Sequence, residues 1–97
     1  MKISYEKTAE VLGKTAQLQV LVYLFNCIDE EDYLSGIAKG TKLSHSSVGR
    51  VAAPLLESGV LLERRLGKLI RIFQINPDSE IAQKTREYFE AVFSEND

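Results

Sequence analysis

Residues Leu43 to Lys68 read LSHSSVGRVAAPLLESGVLLERRLGK. Ser44 is a capping residue at the head of an amphipathic run. With Val48 at the centre of a buried face, Ala52 and Leu55 share that face at i+4 and i+7, and Val51 lies beside them. Ser46, Gly49, Arg50 and Ala53 fall on the opposite side, and His45 sits near the start. Ser58-Gly59 stops the helix. Two short apolar-rich runs, Val60 to Arg65 and Leu69 to Asn76, then flank the turn Leu66-Gly67-Lys68, giving a hairpin with a basic tip at Arg64, Arg65 and Lys68. A helix with one long cation among small residues, then a stop and a basic hairpin, suits a surface that approaches a polyanionic duplex closely.

The charge distribution follows the same division. The 97-residue chain has a net charge of −2. Between Lys39 and Arg71, however, seven basic residues stand against Glu57 and Glu63, a local charge of +5, and the remainder carries −7. Such asymmetry in a small chain aims one basic face at a polyanion, in preference to a chance clustering of solvated charges.

Working outward, residues 33–40 form a short helix with Leu34, Ile37 and Ala38 inward. Gly40-Thr41-Lys42 turns into the helix of about 44–57, so residues 33–58 read as a helix-turn-helix. Residues 14–28 form a helix with the stripe Leu18, Leu21, Val22 and Phe25. Val20 and Leu24 on another side imply cover from more than one direction. Asp29-Glu30-Glu31-Asp32 reads as a turn that faces the next helix, with Asp32 as its cap. A metal-binding reading of these four acids lacks a second cluster to complete the shell. Tyr5, Ala9 and Leu12 mark a short N-terminal helix ended by Gly13. After the hairpin of 60–75, Asn76-Pro77-Asp78-Ser79 starts a last helix of about 79–93, capped by Asp78 or Ser79.

That last helix carries Ile81, Ala82, Thr85, Tyr88, Phe89, Val92 and Phe93 at helical spacing. This is too much apolar surface to leave in water. A two-fold dimer using Ile81, Thr85, Tyr88, Phe89, Val92 and Phe93 is the favoured cover, and the other possibility is a monomer whose terminal helices cover each other. The fold class expected is therefore α+β, mainly α: one domain, a helix-turn-helix with a two-stranded β wing and an extra C-terminal helix.

Other residues narrow the chemistry. The single cysteine, Cys27, forms no internal disulfide, lacks the partners of a zinc site and sits among Leu24, Phe25 and Ile28 as a small core residue. One histidine, one cysteine and scattered carboxylates provide no nucleophile–base pair, so the expectation is no enzyme, no metal and no cofactor. The longest apolar run, Val20 to Phe25, is far below the roughly 20 residues a membrane helix needs, so a cytoplasmic protein without a membrane partner is expected. His45 reads as an uncharged polar contact or phosphate ligand, or else as an inert surface residue. Arg50 reads as a base or phosphate contact, or as a surface salt bridge to Glu57 or Glu63.

With those residues in view, the chain resembles the winged helix-turn-helix transcriptional regulators of the ArsR and MarR type, especially their small archaeal members. Leu12-Gly13-Lys14 leading into LQVLVYLF is similar to the family's first core helix, and Tyr33-Leu34-Ser35-Gly36-Ile37-Ala38 to its second. Leu43 through Arg50, LSHSSVGR, is similar to the recognition-helix signature. Leu56 to Leu61 resembles the join into the wing, and Gly67-Lys68 with Phe73-Gln74-Ile75-Asn76 resembles the second wing strand and its exit. The resemblance, which covers about residues 11–93, implies a homodimeric regulator bound to double-stranded DNA. Its DNA contacts would fall on His45, Ser46, Ser47, Gly49 and Arg50, and on Arg64, Arg65 and Lys68 at the wing. The metal-sensing members' cysteine pair or His/Asp cluster is absent, as is the Asp-x-Arg often found at the wing tip of MarR-type proteins, and no aromatic-lined effector pocket can be located. The competing expectation is a protein-interaction or adaptor module of a transcription, replication or segregation complex, docking through the acidic remainder.

Overall fold

Hydroxyl caps start four of the five α-helices among the described residues. Ser4 accepts the Lys7 amide at the head of α1 (Tyr5–Leu12), and Thr15 accepts the Leu18 amide at α2 (Ala16–Asn26). Ser44 accepts the Ser47 amide at α4 (His45–Glu57), and Ser79 accepts the Ala82 amide at α5 (Glu80–Phe93). Each cap satisfies a donor that the first turn leaves free. Only α3 (Leu34–Thr41) begins without a side-chain cap, at Tyr33. The computed structural model describes residues 2–95. Within them the chain is α+β and mainly helical, with the strands β1 (Glu31–Tyr33), β2 (Leu61–Leu66) and β3 (Ile70–Ile75) in one antiparallel sheet of order β1-β3-β2.

The third strand corrects the expected two-stranded wing. After α2 the chain makes a tight turn in which Asp29 and Glu30 both take left-handed backbone, at φ 60° and 54°. Glu31, Asp32 and Tyr33 then pair with Gln74, Phe73 and Ile72. The acidic run is therefore half turn and half strand. Asp32 does not cap α3: one carboxylate oxygen accepts the Tyr33 amide at 2.7 Å and the other accepts the Tyr23 hydroxyl at 2.6 Å. Helix α2 is also shorter than expected, with Cys27 extended at its end and Ile28 exposed.

The core lies where α2, α3 and α4 meet one face of the sheet. Val20, Leu24, Ile37, Val48, Ala52, Leu61 and Phe73 are all essentially inaccessible to water. Burying each of the larger side chains contributes about 1.5–3 kcal/mol before entropy is counted. Helix α2 is covered from several directions, by α3, α4 and β3. The α2–α3 contact is close because α3 presents Gly36 and Gly40. A β-carbon at Gly40 would fall 2.1 Å from a Tyr23 ring carbon, and one at Gly36 would fall 2.4 Å from the Asp32 carboxylate. These glycines leave room for the Tyr23–Asp32 pair to lie across the helix. The Asp32 hydrogen bond, helped by burial, pushes the Tyr23 phenol well above its ordinary range. Burial raises the Cys27 thiol, which is half-buried rather than a full core residue.

Helix α5 crosses back to the start of the chain. Phe89 meets Phe25 edge-to-face at 6.0 Å and Phe93 at 5.8 Å. Ser4 donates its amide to the Phe93 carbonyl at 2.8 Å, Ile3 bridges to Ser94, and Glu95 donates to the Lys2 carbonyl at 2.9 Å. The Asn26 side chain holds both the amide and the carbonyl of Ile3 at 2.9 Å. Among the described residues, no helix is long and apolar enough to cross a membrane.

Candidate nucleic-acid interface

Helix α4 stands on Val48, Ala52 and Leu55, as its spacing predicts, and the opposite side faces water. His45, Ser46, Arg50 and Ala53 are exposed, while Ser47 and Gly49 are half-buried. The serines form a connected group. Ser44 donates to Ser47 Oγ at 2.9 Å and lies 3.2 Å from Ser46 Oγ, and Arg50 Nη2 donates to Ser47 Oγ at 3.2 Å. Neither Glu57 nor Glu63 pairs with Arg50, which has no acidic partner among the described residues. Its guanidinium is thus held by a neutral hydroxyl and keeps its donors available. Pro54 sits exposed near the end of α4; the helix continues past it to Glu57, and nothing in the structure gives it a role.

The hairpin follows α4 directly. Its turn lies at Gly67-Lys68-Leu69, one residue later than expected, with Gly67 in the left-handed region at φ 65°. The cations at its tip do not share one environment. Arg64 reaches across β3 to Glu31 on the far edge strand at 3.0 Å, and Arg65 Nε lies 3.2 Å from Glu63. Lys68 has no ion-pair partner among the described residues. The exposed pairs are weak and screened by salt, so a phosphate can exchange with the acid at small cost.

Sequence reasoning missed Glu63 and Arg71 as a pair. In the antiparallel register Glu63 opposes Phe73 and Arg65 opposes Arg71. All four therefore point to the helix-facing side of the sheet. Arg71 grips the Glu63 carboxylate with two bonds, Nε at 2.7 Å and Nη2 at 3.1 Å, and its guanidinium carbon lies 4.9 Å from the centre of the Phe73 ring. Nη1 points to α4, lying 3.6 Å from where a β-carbon would stand on Gly49. The fork from Arg71 holds the Glu63 carboxyl below its ordinary range and raises Arg71 above its own. The only signal in the sequence was one acid, Glu63, in the first run and one base, Arg71, in the second. Their presence does not reveal which residues face each other.

Two other surfaces bear on function. Helix α5 splits the expected apolar stripe in two. Phe89 and Phe93, expected on a surface between two copies, instead turn inward, at 4% and 3% exposed, into the chain's own core. Ile81, Tyr88 and Val92 remain 61%, 47% and 56% exposed, and with half-buried Thr85 they form an outer stripe at i, i+4, i+7 and i+11. The outer face of the sheet also carries exposed apolar groups, Tyr33, Leu62, Leu66 and Ile70. A cleft between the N-terminal segment, α2 and the end of α3 is lined by Tyr5, Gln19, Tyr23 and Asn26. Three of these side chains are engaged internally, Gln19 with the Thr41 carbonyl at 2.7 Å, Tyr23 with the Asp32 carboxylate and Asn26 with the Ile3 backbone. No protein-family model matches the chain, and no curated protein matches it.

Proposed function

We propose that the chain is a winged helix-turn-helix protein that binds double-stranded DNA and regulates transcription. Helix α4 enters the major groove, and the β2–β3 hairpin lies along the flanking backbone. The observation that carries this reading is the outer face of α4. One long cation, Arg50, stands free of acids among small and hydroxyl side chains, on a helix whose other face is fixed in the core. In a major groove that face offers Arg50 to base edges, with Ser46, Ser47 and His45 beside it, while Lys68, Arg64 and Arg65 meet phosphates. The protein works as a two-fold dimer joined through the outer stripe of α5, Ile81, Thr85, Tyr88 and Val92, which places two α4 helices on half-sites about 10–10.5 bp apart or a multiple of that.

Selection from random duplex DNA with purified protein, followed by affinity measurements across a salt series, tests this reading. The expected result is an enriched two-fold motif whose binding weakens steeply with salt. Binding without sequence preference, or none, rejects it. A second reading, a winged-helix adaptor that docks protein partners, is favoured by the exposed Tyr33, Leu62, Leu66 and Ile70 on the outer sheet face and by the acids already bound to Arg64 and Arg65. That reading gains if the selection returns no motif.

A further inference from the structure

A groove runs between the first turn of α4, the start of α3 and the free edge of β3 beyond the end of β1. Ser35, His45 and Arg71 line it together with Tyr33, Leu34, Leu69 and Ile70. His45 and Gly49 are one helical turn apart on α4, and Arg71 reaches the groove beside Gly49. We propose that this groove seats one backbone phosphodiester of a bound duplex, with Arg71 as its ligand and Glu63 as the residue that positions Arg71. The inference rests on the DNA-binding reading and adds to it a residue that the family resemblance does not imply.

The chemistry follows from which donors are spent. Two donors on one edge of the Arg71 guanidinium, Nε and Nη2, are used on Glu63, and Nη1 has no acid partner among the described residues. A guanidinium held by a fork on one side and resting over an aromatic ring has lost most of its rotational freedom before any ligand arrives, so little ordering remains to oppose binding. Glu63 serves two arginines, Arg65 and Arg71, so this cluster keeps a net positive charge. His45 and Ser35 add hydrogen-bonding groups to the lining, and Leu69, 91% exposed, offers an apolar surface to a sugar. A phosphodiester carries one negative charge, acceptor oxygens and flanking apolar sugar carbons, and these match the three kinds of surface in the groove. The absence of a side chain on Gly49 leaves Nη1 uncovered from the α4 side.

Glu63→Gln removes a negative charge from a DNA-facing region, which by charge alone should tighten binding. If Glu63 positions Arg71, the variant instead binds duplex DNA about 3- to 10-fold more weakly, with a salt slope lower by about 1 per protomer. Arg71→Met should lose about 10-fold or more, as for a charge-assisted hydrogen bond. Arg71→Lys, which keeps charge but not the fork, should fall between Arg71→Met and wild type. Glu57→Gln, at the other acid of the basic segment, serves as the control and should bind as wild type or tighter. Circular dichroism confirms that each variant is folded. Glu63→Gln binding as tightly as wild type or tighter overturns the proposal, and so does Arg71→Lys at wild-type affinity. If wild type itself shows no salt-dependent duplex binding, the DNA reading falls, and this inference with it.

Discussion

Helices α4 and α5 are nearly the same object seen from inside the protein and different objects seen from outside. They have 13 and 14 residues, and each is capped by a serine whose hydroxyl takes the third amide at 3.1 Å. Each buries one face, Val48, Ala52 and Leu55 in the first and Ala82, Phe89 and Phe93 in the second. Outside, α4 shows Ser46, Arg50 and Ala53, whereas α5 shows Ile81, Tyr88 and Val92. The inner faces make the fold, and any amphipathic helix of suitable shape could supply them. The outer faces carry the specialisation. A charged, small-residue face suits a hydrated, polyanionic partner, and an apolar stripe suits another apolar stripe.

The largest expected effect tests the inner face of α5. Phe89→Ala should cost about 3–5 kcal/mol in urea denaturation, because it empties the space between Phe25 and Phe93. A loss below about 1 kcal/mol would mean the two faces of α5 are not distinct. Phe89→Glu should unfold the protein rather than yield folded monomers. Next comes the outer face of α4. Arg50→Ala should leave stability within about 0.5 kcal/mol and weaken operator binding by about 1–3 kcal/mol, concentrated at one base position. Lys68→Ala should instead weaken all duplexes about equally and lower the salt slope by about 1 for each phosphate no longer neutralised. Unchanged operator affinity in Arg50→Ala would remove the contrast between the helices. The shared caps give a smaller and equal pair of effects: Ser44→Ala and Ser79→Ala should each cost about 1 kcal/mol. A large inequality in thermal or urea denaturation would show that the two caps are not equivalent.

For the outer stripe, Ile81→Ser combined with Val92→Ser should change the unfolding free energy of the monomer by no more than about 0.5 kcal/mol per site, while abolishing association in sedimentation. Retained association would reject the outer stripe of α5 as the proposed dimer surface. The finest effect is on pH dependence. Glu63 is held below its ordinary range by Arg71, so it contributes stability that is complete above the unfolded glutamate value of about 4.3 and is lost as pH falls through its lower folded value. Glu63→Gln should flatten that part of the acid-unfolding curve.

The helices and the hairpin were legible because periodicity, serine caps and glycine stops agree in this sequence. What was not legible depended on tertiary pairing. Strand β1 is three residues long, all strand signal in Glu31-Asp32-Tyr33 is masked by charge, and only the bonds to β3 make it a strand. The width of the α5 stripe was visible, but not which half the rest of the chain would cover. The residues of the candidate interface on α4 follow from one helical wheel. Glu63 and Arg71 meet because of a cross-strand register that neither strand encodes alone. The acid partners of Arg64 and Arg65 were hidden for the same reason.

The bonds between residues 2–4 and 93–95 bear on the order in which the protein assembles. Ser4 to Phe93, Ile3 to Ser94 and Glu95 to Lys2 join segments separated by nearly the whole chain. Closing so long a loop costs about 3 kcal/mol more than closing the hairpin turn. Helices α2 to α4 and the hairpin reward short closures, so they can form first, and the clasp of α1 on α5 closes last. By the same ordering it opens first. The Ser4 amide should exchange with solvent deuterium well before the amides of α2 and β3, and loosening either end of the clasp frees the other.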